Sequence, residues 1–324
     1  MSAPAPHPAA TSTPRTAAVL GTGTIALGWI ALFAARGLQV RISSTRPDAR
    51  EHVTAALGLY ARSLPGGAAD PERLAARLTF CRDVAEAATG AQVVQENVRE
   101  DLALKRDIFR QAAEAAPGAL LLSSTSTLLP ADLGAALDEP GRVIVGHPFN
   151  PPHIVPLVEV VAAEDAKPAD VEAAVDFYRF LGKTPVVLRR AVPGFVANRL
   201  QSALLRESIH LVREGVVTVG ELDEIVTASI GSRWAVAGPF RAFHLGGGPG
   251  GLRHLMEHLG EGLERSWAGL GNPPVDELTV ETMLTQADEA FGPYAYEPLA
   301  AWRDRAQNAV IAAVEAVGPP RAAD

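Results

Sequence analysis

The stretch from Ala17 to Arg46 leaves this chain few ways to fold. It opens on the apolar run Ala17-Ala-Val-Leu20 and turns through Gly21-Thr-Gly23-Thr24-Ile25-Ala26. A helical run follows from Leu27 to Ala35, and the segment closes on Val40-Arg-Ile-Ser43-Ser44-Thr45-Arg46. A short apolar run bounded by turn residues reads as a buried strand, so this is a strand–turn–helix–strand unit, the repeating block of a doubly wound parallel sheet. The turn has a chemistry of its own. Gly21 permits the tight bend, Gly23 lets the backbone approach a ligand, and Ala26 fills the third small position, where helix and strand pack closely. Unpaired N–H groups at the helix start, around Thr24 and Ile25, favour an anion there. The unit is expected to hold the pyrophosphate of a dinucleotide.

The end of the second strand bears on which dinucleotide. NAD-binding chains usually place Asp or Glu there, about 20 residues past the glycines, against the ribose 2′-hydroxyl. Here the position falls on Ser43 or Ser44, followed by Thr45 and Arg46. Hydroxyls and a guanidinium suit a 2′-phosphate, and no carboxylate stands in place to repel it. NADP(H) is therefore the expected cofactor, with NAD(H) as the alternative. Under that alternative Asp48 reaches back to the ribose and Arg46 is a solvated surface charge.

Bulk properties narrow the partners. With 29 Lys and Arg against 37 Asp and Glu, the chain carries a net charge of −8. Nucleic acid and anionic membranes demand a basic footprint that this balance does not provide. One cysteine, Cys81, allows neither an intramolecular disulfide nor a metal cluster, so a reducing cytoplasm is the expected compartment and Cys81 a small core residue. The first fourteen residues are rich in Ala, Pro, Ser and Thr, and residues 1–16 are expected to be a flexible tail and not a signal peptide. No apolar run approaches a membrane span.

From Ala17 to about Arg190 strands and helices alternate. Further strands are expected at Ala91–Gln95, Leu120–Ser123, Arg142–Gly146, Leu157–Ala162 and Thr184–Leu188. After Pro193-Gly194 only helical periodicity remains, broken by the Gly-rich loop Gly246–Gly251. The expected architecture is α/β: a Rossmann-type doubly wound sheet over 17–191, followed by an all-helical domain over 192–318.

Four polar positions could do chemistry. Ser126 lies in Ser123-Ser-Thr-Ser-Thr127 just after a strand, where an open sheet places ligands. His147 follows the strand Arg142–Gly146 and leads into Pro148-Phe-Asn-Pro-Pro152, a stiff turn that would hold its ring in one orientation. Glu159 sits inside the apolar strand Leu157-Val-Glu-Val-Val161, where a carboxylate is costly unless partnered. An imidazole is the obvious partner, in the arrangement by which a carboxylate orients a proton-carrying histidine. Asn198 follows the Pro-Gly turn into the second domain. Each has a structural alternative: His147 as a satisfied core residue, Ser126 as a turn cap, Asn198 as a helix brace. Beside a nucleotide site they favour a carbonyl–alcohol redox centre. His244 and His254 lack companions at metal-ligand spacing, and no metal is expected.

The order of these motifs resembles the 3-hydroxyacyl-CoA dehydrogenase superfamily over nearly all the chain after residue 16. The resemblance is carried by Gly21-Thr-Gly23, Val94-Gln-Glu-Asn-Val-Arg-Glu100-Asp-Leu, Ser123-Ser-Thr-Ser126, His147-Pro-Phe-Asn-Pro151, Leu157-Val-Glu159-Val and Pro193-Gly-Phe-Val-Ala-Asn198-Arg-Leu200. It implies a catalytic His147–Glu159 pair, with Ser126 and Asn198 holding the substrate oxygen. It also implies Glu100 near the cofactor and a helical domain that dimerises. Within the superfamily, Glu100-Asp-Leu-Ala-Leu-Lys105, Asn150-Pro-Pro152, Asn198-Arg-Leu-Gln201 and Gly231-Ser-Arg233-Trp-Ala-Val-Ala-Gly-Pro239 are similar to the branch of L-gulonate 3-dehydrogenase (lambda-crystallin) and carnitine 3-dehydrogenase. Relatives in that branch generally carry Asp where Ser44 stands.

Arg233 is the candidate for substrate class, since a guanidinium can pair bidentately with a free carboxylate; its other reading is a helix-end arginine on terminal carbonyls. The expectation is an NADP(H)-preferring enzyme that interconverts a small 3-hydroxy acid and its 3-keto form, with His147 as general acid/base. The alternatives are a reductase of another C=O or C=N metabolite, an NAD-dependent L-gulonate or carnitine 3-dehydrogenase, and a non-catalytic crystallin-like role.

Overall fold

The computed structural model describes residues 14–318. Most of the expected tail lies outside the described residues; the first strand begins at Thr16, inside the range expected for the tail. The chain divides into two compact units between Val196 and Ala197.

The first unit is built in the order β1 (Thr16–Leu20), α1 (Thr24–Ala35), β2 (Gln39–Ser43), α2 (Ala49–Tyr60), α3 (Pro71–Ala75), β3 (Leu78–Cys81), α4 (Val84–Ala88) and β4 (Val93–Glu96). It continues through α5 (Leu102–Ala115), β5 (Leu120–Ser123), α6 (Pro130–Gly134), β6 (Val143–Pro148), β7 (Leu157–Val161), α7 (Pro168–Phe180) and β8 (Thr184–Val187). The eight strands form one sheet in the order β3-β2-β1-β4-β5-β6-β7-β8. The order reverses between β1 and β4, and at such a switch point the strand ends leave a crevice for a ligand.

Every pairing is parallel except β6 with β7, which run antiparallel. The reason is connection length: only residues 149–156 separate them, too few for the crossover that parallel strands need. That register sets His147 directly opposite Glu159.

Helix α1 is buried from Ala26 through Ala34, so it is apolar nearly all round and forms the centre of the core. Its Trp29 packs against Phe33 and against Tyr178 of α7, with ring centroids 5.6 and 5.7 Å apart. Three short elements, β3, α4 and α6, have too few residues to show a period and escape the sequence reading. Cys81 differs from its expected place. It is only half-buried, because β3 is the sheet's edge strand. Burial nevertheless pushes its thiol up, away from thiolate chemistry.

The second unit is all-helical among the described residues: α8 (Ala197–Arg213), α9 (Val219–Val226), α10 (Ser232–Val236), α11 (Pro239–Gly246), α12 (Gly251–Ala268), α13 (Glu277–Phe291) and α14 (Tyr296–Val317). Thr218 and Glu221 form a capping box at the start of α9, and α9 runs on through a π-helical segment, Thr227–Gly231, into α10. Within Gly246–Gly251, expected as a loop, Gly248–Gly250 form a short 3₁₀ turn between the end of α11 and the start of α12.

Candidate active site

The Gly-rich turn has the shape its residues call for. Gly21 takes φ +100°, and a Cβ there would stand 2.8 Å from the Asn97 carbonyl oxygen, so only glycine fits. A Cβ on Gly23 would meet nothing within 4 Å, which leaves open space over the start of α1. Gly23 caps that helix with no side-chain bond, so the N-terminal N–H groups of Thr24 and Ile25 remain available to an anion. These residues fit a dinucleotide pyrophosphate.

At the end of β2, Ser43 is buried and its carbonyl accepts from Gly21 N–H at 2.8 Å. The Ser44 hydroxyl lies 2.7 Å from that of Thr22 and accepts from the Arg46 backbone N–H at 3.2 Å. Thr45 is exposed. Arg46 is not a free cation. Its guanidinium grips Asp48 at two points, Nε to Oδ1 at 2.7 Å and Nη2 to Oδ2 at 3.0 Å. The hydrogen bond from Arg46 holds the Asp48 carboxyl below its usual range.

The loops after β4 and β5 are bound together. Glu100 accepts from the hydroxyls of Thr125 and Thr127, from Ser126 N–H at 3.1 Å, and from Lys105 Nζ at 3.2 Å. Burial would raise its pKa, but the bonds from Thr125, Lys105 and Thr127 outweigh that and hold it low. Ser126 is half-buried on this loop.

His147 and Glu159 are both buried and directly bonded, Nδ1 to Oε2 at 2.8 Å. The other carboxylate oxygen of Glu159 accepts from Val196 N–H at 2.9 Å. That contact depends on Phe195, which is fully buried at φ +47°, a left-handed conformation costly for a residue with a side chain. Phe149 and Phe195 flank the imidazole at 5.3 and 5.4 Å between centroids. With Nδ1 engaged, Nε2 is the nitrogen left for a reacting group, and an imidazole so oriented can carry a proton.

Residues 149–155, which follow His147, are pinned from below. The Lys183 ammonium donates to the carbonyls of Pro152 and of Val155, and burial lowers its pKa to about 7. His153 is fully buried, stacks on Tyr60 at 4.3 Å and shares a hydrogen bond with the Ser63 hydroxyl at 3.2 Å.

The sheet unit thus holds Gly21, Gly23, Thr24, Ile25, Ser43, Ser44, Thr45, Arg46, Glu100, Ser126, His147 and Glu159. Asn198 and Arg233 belong to the helical unit, Asn198 half-buried in the first turn of α8 and Arg233 exposed in α10. Sequence reading missed Glu96 and Lys105, which support Glu100. A carboxylate closing the apolar strand Val93-Val-Gln-Glu96 was the available signal.

A dinucleotide cradle at the switch point of an open sheet, with a buried imidazole–carboxylate pair on β6 and β7 beyond β5, is the layout of a dehydrogenase site. Comparison with known proteins agrees. The 3-hydroxyacyl-CoA dehydrogenase NAD binding domain matches residues 16–191, and the C-terminal domain of the same family matches residues 194–296. This chain belongs to the 3-hydroxyacyl-CoA dehydrogenase family, and it is a dehydrogenase that works with a nicotinamide dinucleotide.

It is 41% identical to an L-carnitine dehydrogenase of Streptomyces griseus over 98% of this chain and 94% of that one. It is 39% identical to an L-carnitine dehydrogenase of Burkholderia mallei over 93% and 94% of the two chains. Among solved structures, one similar to it is 5-formyl-3-hydroxy-2-methylpyridine 4-carboxylic acid 5-dehydrogenase, described as an NAD+ dependent dismutase. The TM-score is 0.75 at 32% identity, covering 93% of this chain and 98% of that one. Among the described residues no helix is long and apolar enough to cross a membrane, and no group of His, Cys, Asp and Glu could hold a metal ion.

Proposed function

We propose that this enzyme oxidises the 3-hydroxyl of a small 3-hydroxy acid to the ketone, with L-carnitine as the first substrate to try. The observation that carries the chemistry is the buried 2.8 Å bond between His147 and Glu159. The bound nicotinamide supplies the hydride acceptor. His147 Nε2 takes the hydroxyl proton as the C–H bond breaks, and Glu159 stabilises the imidazolium that forms. Ser126 and Asn198 donate hydrogen bonds to the substrate oxygen as its charge develops. Arg233 pairs with the substrate carboxylate, which L-carnitine shares, along with the 3-hydroxyl itself, with L-gulonate and other small 3-hydroxy acids. In the reductive direction the same groups act in reverse.

For the cofactor we propose NAD(H), which reverses the order expected from the end of β2. Arg46 is already paired with Asp48 at the surface, so a 2′-phosphate would share that guanidinium with a carboxylate. The NAD-type domain match supports the same order. NADP(H) remains the second reading, favoured by Ser44 in the position where an acid usually stands.

We also propose that the working protein is a homodimer, because the helical unit exposes large side chains such as Phe240, Leu245, Trp267 and Trp302 that a second copy would cover. A cytoplasmic location suits the half-buried, unpaired Cys81.

The test is initial rates with L-carnitine and L-gulonate, each with NAD+ and NADP+, in wild type and in Arg46→Ala. The proposal expects the highest rate with L-carnitine and NAD+, and a change of less than about threefold in NAD+ use on removing Arg46. An L-gulonate rate above that of L-carnitine contradicts the substrate. A preference for NADP+ that Arg46→Ala abolishes establishes the second reading for the cofactor.

A further inference from the structure

Beneath Glu100 lies a charge cluster with a saturated set of partners. Glu96, at the carboxyl end of β4, and Lys105, in the first turn of α5, are both fully buried. The Lys105 ammonium makes three contacts, one for each of its protons: Glu96 Oε1 at 2.7 Å, the Val98 carbonyl at 3.1 Å and Glu100 Oε2 at 3.2 Å. Glu96 Oε1 also accepts from Val98 N–H at 2.6 Å, and Oε2 accepts from the Ser123 hydroxyl at 2.6 Å. The Ser123 hydroxyl in turn accepts from Thr125 N–H at 3.2 Å. One cation therefore lies between two carboxylates, and each carboxylate binds both loops or their strand ends.

The place of this cluster gives it a use. The loop from Asn97 to Asp101 lies against the dinucleotide turn, because the Asn97 carbonyl fills the space that a Cβ of Gly21 would need. The loop from Ser123 to Leu128 carries Ser126 and winds around Glu100. Without Lys105 the two carboxylates would face each other with no cation, and Glu100 would lose the charge that holds it in place.

We propose that Glu96 and Lys105 are positioning residues for the reaction. They act through Glu100, registering the Ser126 loop against the dinucleotide turn, and touch neither substrate nor cofactor. This rests on the reading of Ser126 as a substrate-holding residue in the preceding section. A purely structural pair would contribute to folding alone. A positioning pair sets kcat and cofactor affinity at constant fold.

The experiment compares wild type, Lys105→Met, Glu96→Gln and the double variant. Melting temperature reports the fold, fluorescence titration reports NADH binding, and kcat and KM are taken on a 3-hydroxy acid that wild type oxidises. Lys105→Met is expected to lower kcat about 100-fold with KM within about threefold, and to weaken NADH binding about tenfold. Adding Glu96→Gln removes one of the two opposed carboxylates and is expected to recover kcat and NADH affinity about tenfold and threefold respectively. Singles with kcat and NADH binding within about twofold of wild type overturn the proposal, as does a loss that the second substitution fails to recover. Should Lys105→Met not fold, Glu96→Gln decides alone: a fall in kcat of about tenfold at an unchanged melting temperature supports positioning, and an unchanged kcat refutes it. If wild type oxidises no 3-hydroxy acid, the functional reading fails by itself, and the NADH titrations still decide this one.

Discussion

The two units of this chain treat their large side chains in opposite ways. In the sheet unit Trp29, Phe33, Phe109, Tyr178 and Phe195 are all fully buried, and the polar groups among them are paired. In the helical unit Trp267, Trp302, Phe240 and Leu245 stand 60% exposed or more. A domain that buries its aromatic residues supplies its own stability, whereas one that leaves them in water needs something to cover them. The difference teaches where each function resides. The His147–Glu159 pair and the Gly-rich turn sit on the self-sufficient sheet, where rigid strands can hold a 2.8 Å contact. The helical unit leaves a large apolar surface in water, the one we propose a second copy covers.

Substitutions of matched size test the contrast most severely. Trp29→Ala is expected to cost about 3–5 kcal/mol of stability, measured by chemical denaturation, because it empties the centre of the core. Trp302→Ala is expected to cost less than about 0.5 kcal/mol in protein diluted to single chains. Equal losses would end the comparison.

The exposed face itself comes next. Phe240 and Leu245, both in α11, are 77% and 68% exposed. Changing both to Glu is expected to halve the mass seen by light scattering, from two chains to one chain of 34.0 kDa, while NADH binding holds. A wild type that already runs as a single chain contradicts the covering role.

The smallest effect concerns a charge buried in the sheet unit. Lys183 has its pKa lowered from 10.5 to about 7 by burial, with Arg36 adding to the fall. Between those values the unfolded chain binds a proton that the folded chain does not, so stability rises with pH across that window. Melting temperatures taken from pH 7 to pH 10 are expected to rise more in wild type than in Lys183→Met. Parallel curves would show that Lys183 stays charged on the Pro152 and Val155 carbonyls.

What the sequence discloses follows from the same physics. The turn from Gly21 to Ala26 is legible because only glycine tolerates the backbone at Gly21, and α1 because its apolar run leaves no polar face. Glu159 is legible as a carboxylate inside an apolar strand, and His147 as the residue that follows a strand into a Pro-rich turn. Their pairing is legible from the chemistry and the resemblance, but the antiparallel register of β6 and β7 that sets His147 opposite Glu159 is not, since apolar runs do not specify it. Arg46 shows the limit more sharply. A guanidinium after β2 reads as a free cation, and its bond to Asp48 shows only in the fold, because two residues of sequence separation do not say which way a side chain turns. Glu96 and Lys105 are nine positions apart, across a loop and a helix start, so only the folded backbone brings them together. The exposed residues of α11, Phe240 and Leu245 among them, carry no sequence sign of their exposure, because an apolar helical period does not say what covers it.

The most direct test of this account is the initial rate of cofactor reduction on adding L-carnitine and NAD+ to wild type and to His147→Ala. The account predicts turnover in wild type, a fall of about 1,000-fold in the variant, and NADH affinity nearly unchanged. A variant that keeps wild-type turnover would show that the buried imidazole does not carry the proton, and would contradict the reading of the site.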